Sequence, residues 1–424
     1  MGLGDTVTRT VGHLCRTRRL EPVVWRLIWI AVAARIASYI LFNVLLFGGE
    51  FQHPDSAAYH LKAILVAESW HTGNLTLPLY HFYSTLMALM YFLFGPHRII
   101  PEIVNMLAGV ALTVLMFKLV GRLFDRRTAL VAALLVAVDP SLAYWSTQLL
   151  RDSLLVLLVI GAVYFAVNGY RSSLRSAAAI SACLLGVILF GRVPLAASVG
   201  LAITLSTVVG LVAQGQVRRV WALASVGMLG AGGFMMGMRI YQAGFAFLSK
   251  PLEYINQIGP GLAGSLSHIP FFDELNTPVG PFESYAELGL FAPEAVMRAT
   301  VLPFPWLANS PVEMLFALAA IWWYTMLALA VVGMVSSPWN AKRLFVLGLV
   351  VVLLWSLGTS IMNMAGLVRW RLPVEALVLI WAARGALVLW GPQVRKVKVW
   401  ASPRNTSEGT GTVTRTGNEI VNGV

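Results

Sequence analysis

Long apolar runs separated by short basic clusters dominate this chain, and no other feature restricts its fold as severely. Such runs lie near 27–49, 102–120, 128–148, 154–168, 176–190, 194–213, 220–238, 312–334, 344–361 and 374–391. Most are close to the length with which a helix crosses a bilayer, about 20 residues. With 58% hydrophobic and 12% charged residues over 424 positions, a water-soluble fold could not hide this much apolar surface, so lipid must cover much of it. The expectation is an all-α polytopic membrane protein, a bundle of about ten transmembrane helices.

Lys and Arg in short loops mark the cytoplasmic side. The clusters are "RTRR" (16–19), "GRLFDRR" (121–127), "GYRSSLR" (169–175), "QGQVRR" (214–219), "NAKR" (340–343) and "RKVKV" (395–399). With all of them inside, both termini are cytoplasmic and the first span delivers Asp55 to the outer face of a plasma membrane. This requires that the apolar segment 78–95 is not a span. Its core reaches roughly 24 Å, and His81, Tyr83 and Ser84 interrupt it, so it reads as a helix in or dipping into the outer interface; the alternative, a true span, would invert the remainder and place five basic clusters outside. Residues 1–23 then form a basic cytoplasmic tail and 24–395 the membrane domain, with outer loops 49–101 and 239–311. Residues 396–424 read as a polar, disordered cytoplasmic tail. The first run is too long for a cleaved signal peptide and lacks a small-residue cleavage site. The formal charge of +12 does not point to nucleic acid, because the bases sit between apolar runs rather than along one face. Cys15 and Cys183 lie in the basic tail and inside an apolar run, so no disulfide framework is available.

Four features converge on the outer rim. Asp55, in "FQHPDSAAYHLKA" (51–63), opens an interfacial helix running to about Trp70. Arg151 and Asp152 open a span in "LLRDSLLVLL", and Arg192 sits between two spans in "GRVP". Arg369 and Arg371, in "NMAGLVRWRLPVEA" (363–376), stand at the entrance to the last span. Each feature has a plainer reading. Asp55 can cap its helix, Asp152 can complement a helix's positive end, Arg192 can snorkel to the headgroups, and the "RWR" pair can bind lipid phosphates in an aromatic belt. Arg35, about 12 Å into the first span, reads as snorkelling or paired. His53 reads as a loop residue, and no His/Cys pair has metal-ligand spacing. Taken jointly, outward-facing guanidiniums suit a lipid-linked phosphate, which they bind as a bidentate fork. A nearby carboxylate suits removal of a proton from an attacking hydroxyl. An apolar tail in the bilayer with a phosphate at the rim describes a polyprenyl-phosphate donor.

On these residues the sequence resembles the GT-C glycosyltransferases that use polyprenyl-phosphate sugars, in particular the protein O-mannosyltransferase and aminoarabinose-transferase group. That family carries a pattern like Asp-acid-x-x-Tyr after its first span, and "PDSAAY" supplies Asp55 and Tyr59. Segments 57–71 and 78–95 are similar to its juxtamembrane helices. Arg98 in "FGPHRIIPEIVN" matches the Arg before its second span, Asp152 matches the acid after its third, and "RWRLP" resembles its Arg-rich entry to a late span. The resemblance covers residues 25–205 and, loosely, 363–390. It implies a GT-C-like bundle with outer juxtamembrane helices that moves a sugar, with inversion, from a polyprenyl-phosphate donor to a glycan, lipid or protein hydroxyl. Asp55 would be the general base, and Asp152 would orient the sugar, the acceptor or an arginine. Arg98, Arg151, Arg192, Arg369 and Arg371 would hold the departing phosphate, with His53 and Tyr59 completing the site. The family's second acid is Ser56 here, so a divalent cation at that position stays possible but is the weaker expectation. The segment "VLPFPWLANSP" (301–311) has no assigned role.

Two rivals share some of these features. A lipid-linked polysaccharide polymerase or ligase would have a similar shape. A transporter or lipid flippase would carry ionisable groups or broken helices near mid-membrane, often within an inverted repeat. This chain reads as concentrating its charge at one rim, with no fixed-period repeat.

Overall fold

The computed structural model describes residues 22–51, 53–74, 82–168, 174–192, 195–204, 284–301, 311–360 and 368–400. Among them there are helices and no strand. Helix α1 (Pro22–Tyr39) continues through a π-helical segment, Ile40–Leu46, and α2 (Pro54–His71) and α3 (Phe82–Phe94) follow. Next come α4 (Ile99–Leu123), α5 (Arg126–Val138), α6 (Pro140–Ser146), α7 (Asp152–Asn168) and α8 (Leu174–Leu189). After the apolar helix α9 (Leu195–Thr204) come α10 (Tyr285–Leu290) and α11 (Ala292–Val301). Three long helices close the described chain: α12 (Pro311–Val335), α13 (Ala341–Ser360) and α14 (Leu372–Trp400).

Five helices are long and apolar enough to cross a membrane, or six when the bent pair α5–α6 counts as one span. The expectation was about ten. Four further apolar helices, Phe82–Phe94, Asp152–Asn168, Ser176–Leu189 and Leu195–Thr204, are shorter. The expected span near 220–238, most of the loop 239–311 and the tail beyond 400 lie outside the described residues. Within segment 78–95 the described residues form the 13-residue α3, about 20 Å long, which packs along α2.

The expected span 128–148 is two helices meeting at 53°. Pro140 cannot continue α5, because it lacks the amide that a helix interior needs. Asp139 instead caps α6, its Oδ1 accepting from the Leu142 amide at 2.9 Å. Arg35 does not snorkel. Its guanidinium donates to the backbone carbonyls of Ala31 (3.0 Å), Gly109 (2.9 Å) and Ala137 (3.3 Å), and only 1% of the residue is exposed. Asp139, Arg371 and Glu375 are also buried in the bundle. Charge is therefore not confined to one rim, which corrects the expectation and removes that ground for setting transport aside.

Helix α14 is the central element. Its residues from Leu372 through Ala383 are buried, and it packs against α12, α5, α7 and α13. Between lipid-soluble helices, close approach rather than hydrophobicity drives association, and small residues permit it. Gly333 of α12 and Gly385 of α14 do this: a Cβ on Gly333 would run into the Trp381 carbonyl, and one on Gly385 into the Leu329 carbonyl. The outer faces are apolar, with Trp29, Ile36 and Leu45 of the first span exposed where a bilayer would cover them.

Candidate active site

Four chain reversals deliver the charged residues to one place. After the π-helical segment the chain turns at Gly48–Gly49, and Pro54 occupies the first position of α2 with Asp55 behind it. The residue before α2 is His53, whose side chain makes no capping bond. The Asp55 carboxylate turns away from the helix amides to a guanidinium, so it is not a helix cap. Residues 147–151 form the turn between α6 and α7, ending in Arg151–Asp152. Helix α8 ends in a Schellman arrangement, with the Arg192 amide on the Val187 carbonyl at 3.1 Å and Gly191 at φ +73°. A side chain at 191 would be strained there, and its Cβ would sit 2.9 Å from Arg151 Nη1. Arg369 lies in the short helical turn 368–370, just before α14.

One guanidinium joins the two acids. Arg369 Nε meets Asp152 Oδ2 at 2.6 Å and its Nη1 meets Asp55 Oδ2 at 2.7 Å. Arg192 Nη2 stands 3.9 Å from Asp152 Oδ1, with its guanidinium 3.5 Å from the Trp370 ring centre. Arg151 donates to the Phe190 carbonyl and lies over Tyr59 at 5.9 Å. Tyr59 packs edge-on against Tyr83. His53 stacks on Trp145 at 4.9 Å, its Nε2 3.0 Å from the Tyr144 hydroxyl, and Arg369 reaches over the same Trp145 at 6.0 Å.

The two acids differ in access: the Asp55 side chain is 58% exposed and that of Asp152 only 5%. Burial raises the Asp55 carboxyl, but Arg369, with help from Arg151 and Arg192, outweighs it and holds Asp55 below the usual carboxylate range. Burial and then the Arg369 charge push His53 down to about 4, so its ring is neutral at pH 7. Arg192 is pushed well down by burial and then by repulsion from Arg151, with Asp152 opposing. Among the described residues, arginines at 151, 192 and 369 face carboxylates at 55 and 152, an excess of one positive charge. Two buried donors, Arg369 Nη2 and Arg151 Nε, have no hydrogen-bond partner among the described residues.

The structure thus brings together His53, Asp55, Tyr59, Arg151, Asp152, Arg192 and Arg369. It does not bring Arg371 there. Arg371 turns to the far side, where it donates to the Ala299 carbonyl at 3.3 Å and lies 4.3 Å over Trp323. Trp323 donates to the next carbonyl, Thr300, at 2.7 Å, and Tyr324 to that of Val301. Arg371 therefore closes the carbonyl end of α11, as cations do at helix C-termini. Arg98 bonds Glu102 at 3.0 Å and the Gly49 carbonyl rather than either central acid. Among the described residues no three His, Cys, Asp or Glu side chains come together. Asp55 and Asp152 are bridged by the Arg369 guanidinium, which occupies the place a divalent cation would take between them. Trp145, Trp370, Asn43 and Asn105 escaped the sequence reading. The two asparagines had a signal, since each is the lone amide in an apolar span.

Residues 78–241 match the dolichyl-phosphate-mannose-protein mannosyltransferase family. No curated protein matches the chain. Among solved structures, the chain is similar to the archaeal oligosaccharyltransferase AglB from Archaeoglobus fulgidus, in complex with an inhibitory peptide and a dolichol-phosphate. The identity is 13% and the TM-score 0.47; the match covers 90% of this chain and 52% of that one, so the chain spans about half its length. The family match, falling on a bundle of apolar helices, supports a glycosyltransferase of the GT-C superfamily.

Proposed function

We propose that this chain transfers a sugar, with inversion, from a polyprenyl-phosphate donor to an acceptor hydroxyl on the outer membrane face. The observation that carries this reading is the surplus of guanidinium over carboxylate among the described residues of the cluster, with Arg369 Nη2 and Arg151 Nε unspent there. A donor phosphodiester carries one negative charge, matching the surplus. In the reaction Asp55 takes the proton of the acceptor hydroxyl, whose oxygen attacks the anomeric carbon as the carbon–oxygen bond to phosphate breaks. The bonding pair leaves with polyprenyl phosphate, whose charge grows by one, and Arg151, Arg192 and Arg369 are placed to stabilise that growth. Asp55, the exposed acid, faces the acceptor, while buried Asp152 fixes the arginines. In the resting state Arg369 holds Asp55 and makes it a weak base. A phosphate that competes for the same fork would free the carboxylate when the donor arrives.

The test is Asp55→Asn. Asn keeps the shape but cannot take the proton, and loss of a general base costs about 10²–10⁴-fold in rate. Expected is that loss in sugar transfer, measured as release of free polyprenyl phosphate, with donor binding retained. Near-normal turnover would remove Asp55 from the mechanism.

A further inference from the structure

The acid that organises the arginines, Asp152, opens α7, and the turn that leads into it has little regular structure to hold it. Residues 147–151 lie between α6 and α7, and Thr147, Gln148 and Leu150 are buried, so their carbonyls need partners within the protein. Two asparagines from different helices satisfy them. Asn105 of α4 is fully buried, and its Nδ2 lies 2.8 Å from the Gln148 carbonyl, 2.8 Å from the Leu150 carbonyl and 3.0 Å from the Tyr83 hydroxyl. Asn43, in the π-helical segment, donates from Nδ2 to the Thr147 carbonyl at 3.0 Å and accepts at Oδ1 from Gln148 Nε2 at 3.1 Å. Three carbonyls of the residues leading into Arg151–Asp152 are thus fixed from two sides. A π-helical segment shifts the phase of a helix locally and is common next to functional sites; here it turns Asn43 toward the turn.

We infer that Asn43 and Asn105 are positioning residues, a clamp that sets Arg151 and Asp152 at the distance from Arg369 which phosphate binding needs. The inference rests on the phosphate site proposed above. Among the described residues, the two side-chain amides bond the turn and Tyr83 rather than the arginines. Asn105 acts through the Leu150 carbonyl and through Tyr83, which packs on Tyr59 beneath Arg151. Asn43 acts through Thr147 and Gln148. A clamp of this kind is fixed by donors, so an apolar side chain of the same size should fill the space and fail to hold the turn.

The experiment compares the wild-type protein with Asn105→Leu and Asn43→Leu, two near-isosteric changes on separate helices. Two readouts are taken from each: backbone hydrogen exchange over 147–152, and binding of a polyprenyl phosphate against the polyprenol of equal chain length. Expected are faster exchange confined to that turn in both variants and phosphate-dependent binding weakened about tenfold or more. Asn105→Gln, which keeps the amide donor, should recover part of the binding. Unchanged exchange in both Leu variants overturns the clamp, and faster exchange with unchanged binding overturns its positioning role. If the wild-type protein itself does not distinguish polyprenyl phosphate from polyprenol, the phosphate reading fails, while exchange still decides whether the asparagines hold the turn.

Discussion

Replacing Arg369 by Lys keeps a positive charge and loses the fork. An ammonium is a single point donor and cannot meet Asp152 and Asp55 along two fixed directions. Arg369→Lys should therefore weaken donor binding by about tenfold, the scale of one charge-assisted bond. It should also move the acidic limb of the kcat/KM–pH profile upward. Burial raises Asp55 and Arg369 lowers it, so weakening the second leaves the first to dominate. Arg371→Lys should do neither, because that residue closes the end of α11; its expected effect is a lower unfolding temperature in detergent. Equal loss of donor binding in both variants would contradict the division of roles. That division was not legible in the sequence. Both arginines sit in one "RWR", and two positions along a helical turn differ by about 200° in direction, so they face opposite sides. Asp55, Arg151, Asp152, Arg192 and Arg369 were legible individually, because a charge is conspicuous where apolar runs end. Their meeting depends on turns whose geometry no local pattern announces.

The helices themselves were mostly legible as apolar runs, and the helix from Asp55 to about Trp70 is present as Pro54–His71. What escaped is where a run breaks. Asp139–Pro140 carries the signature of a helix start, a capping acid before proline, yet it lies inside one continuous apolar stretch and was read as part of a span. The sequence also hid how closely α12 and α14 approach. Gly333 and Gly385 are each other's neighbours across that contact, their imagined Cβ atoms meeting backbone of the facing helix. Backbone cannot move aside as a flexible side chain can, so Gly385→Leu should force the helices apart. We expect loss of a monodisperse, detergent-stable protein, read by size-exclusion chromatography. Gly348, whose imagined Cβ meets nothing within 4 Å, should accept Leu without that loss. Similar behaviour of the two variants would show that the approach is not tight.

For the whole molecule, the positive-inside pattern predicts the Asp55–Arg369–Asp152 cluster outside and the 121–127 and 340–343 clusters inside. Cysteine labelling with an impermeant reagent can test this, but the choice of positions depends on burial. Ser56 and Ser153, the residues adjoining the two acids, are 2% and 7% exposed. A cysteine at either would stay silent on whichever side it lay. Thr72 and His97, at the end of α2 and the turn before α4, are exposed, as are Arg127 and Asn340 beside the basic clusters. In a background lacking Cys15 and Cys183, Cys at 72 or 97 should react from outside intact cells. Cys at 127 or 340 should react only after the membrane is opened. Positions 97 and 127 bracket α4, a single helix of 25 residues long enough to span the bilayer, so they must differ if α4 crosses. The reverse pattern, with 127 and 340 labelled from outside, would place the arginine cluster in the cytoplasm and sink the outer-face assignment. The carboxylate–arginine geometry would stand, and the donor sugar would then have to be presented from the inner leaflet.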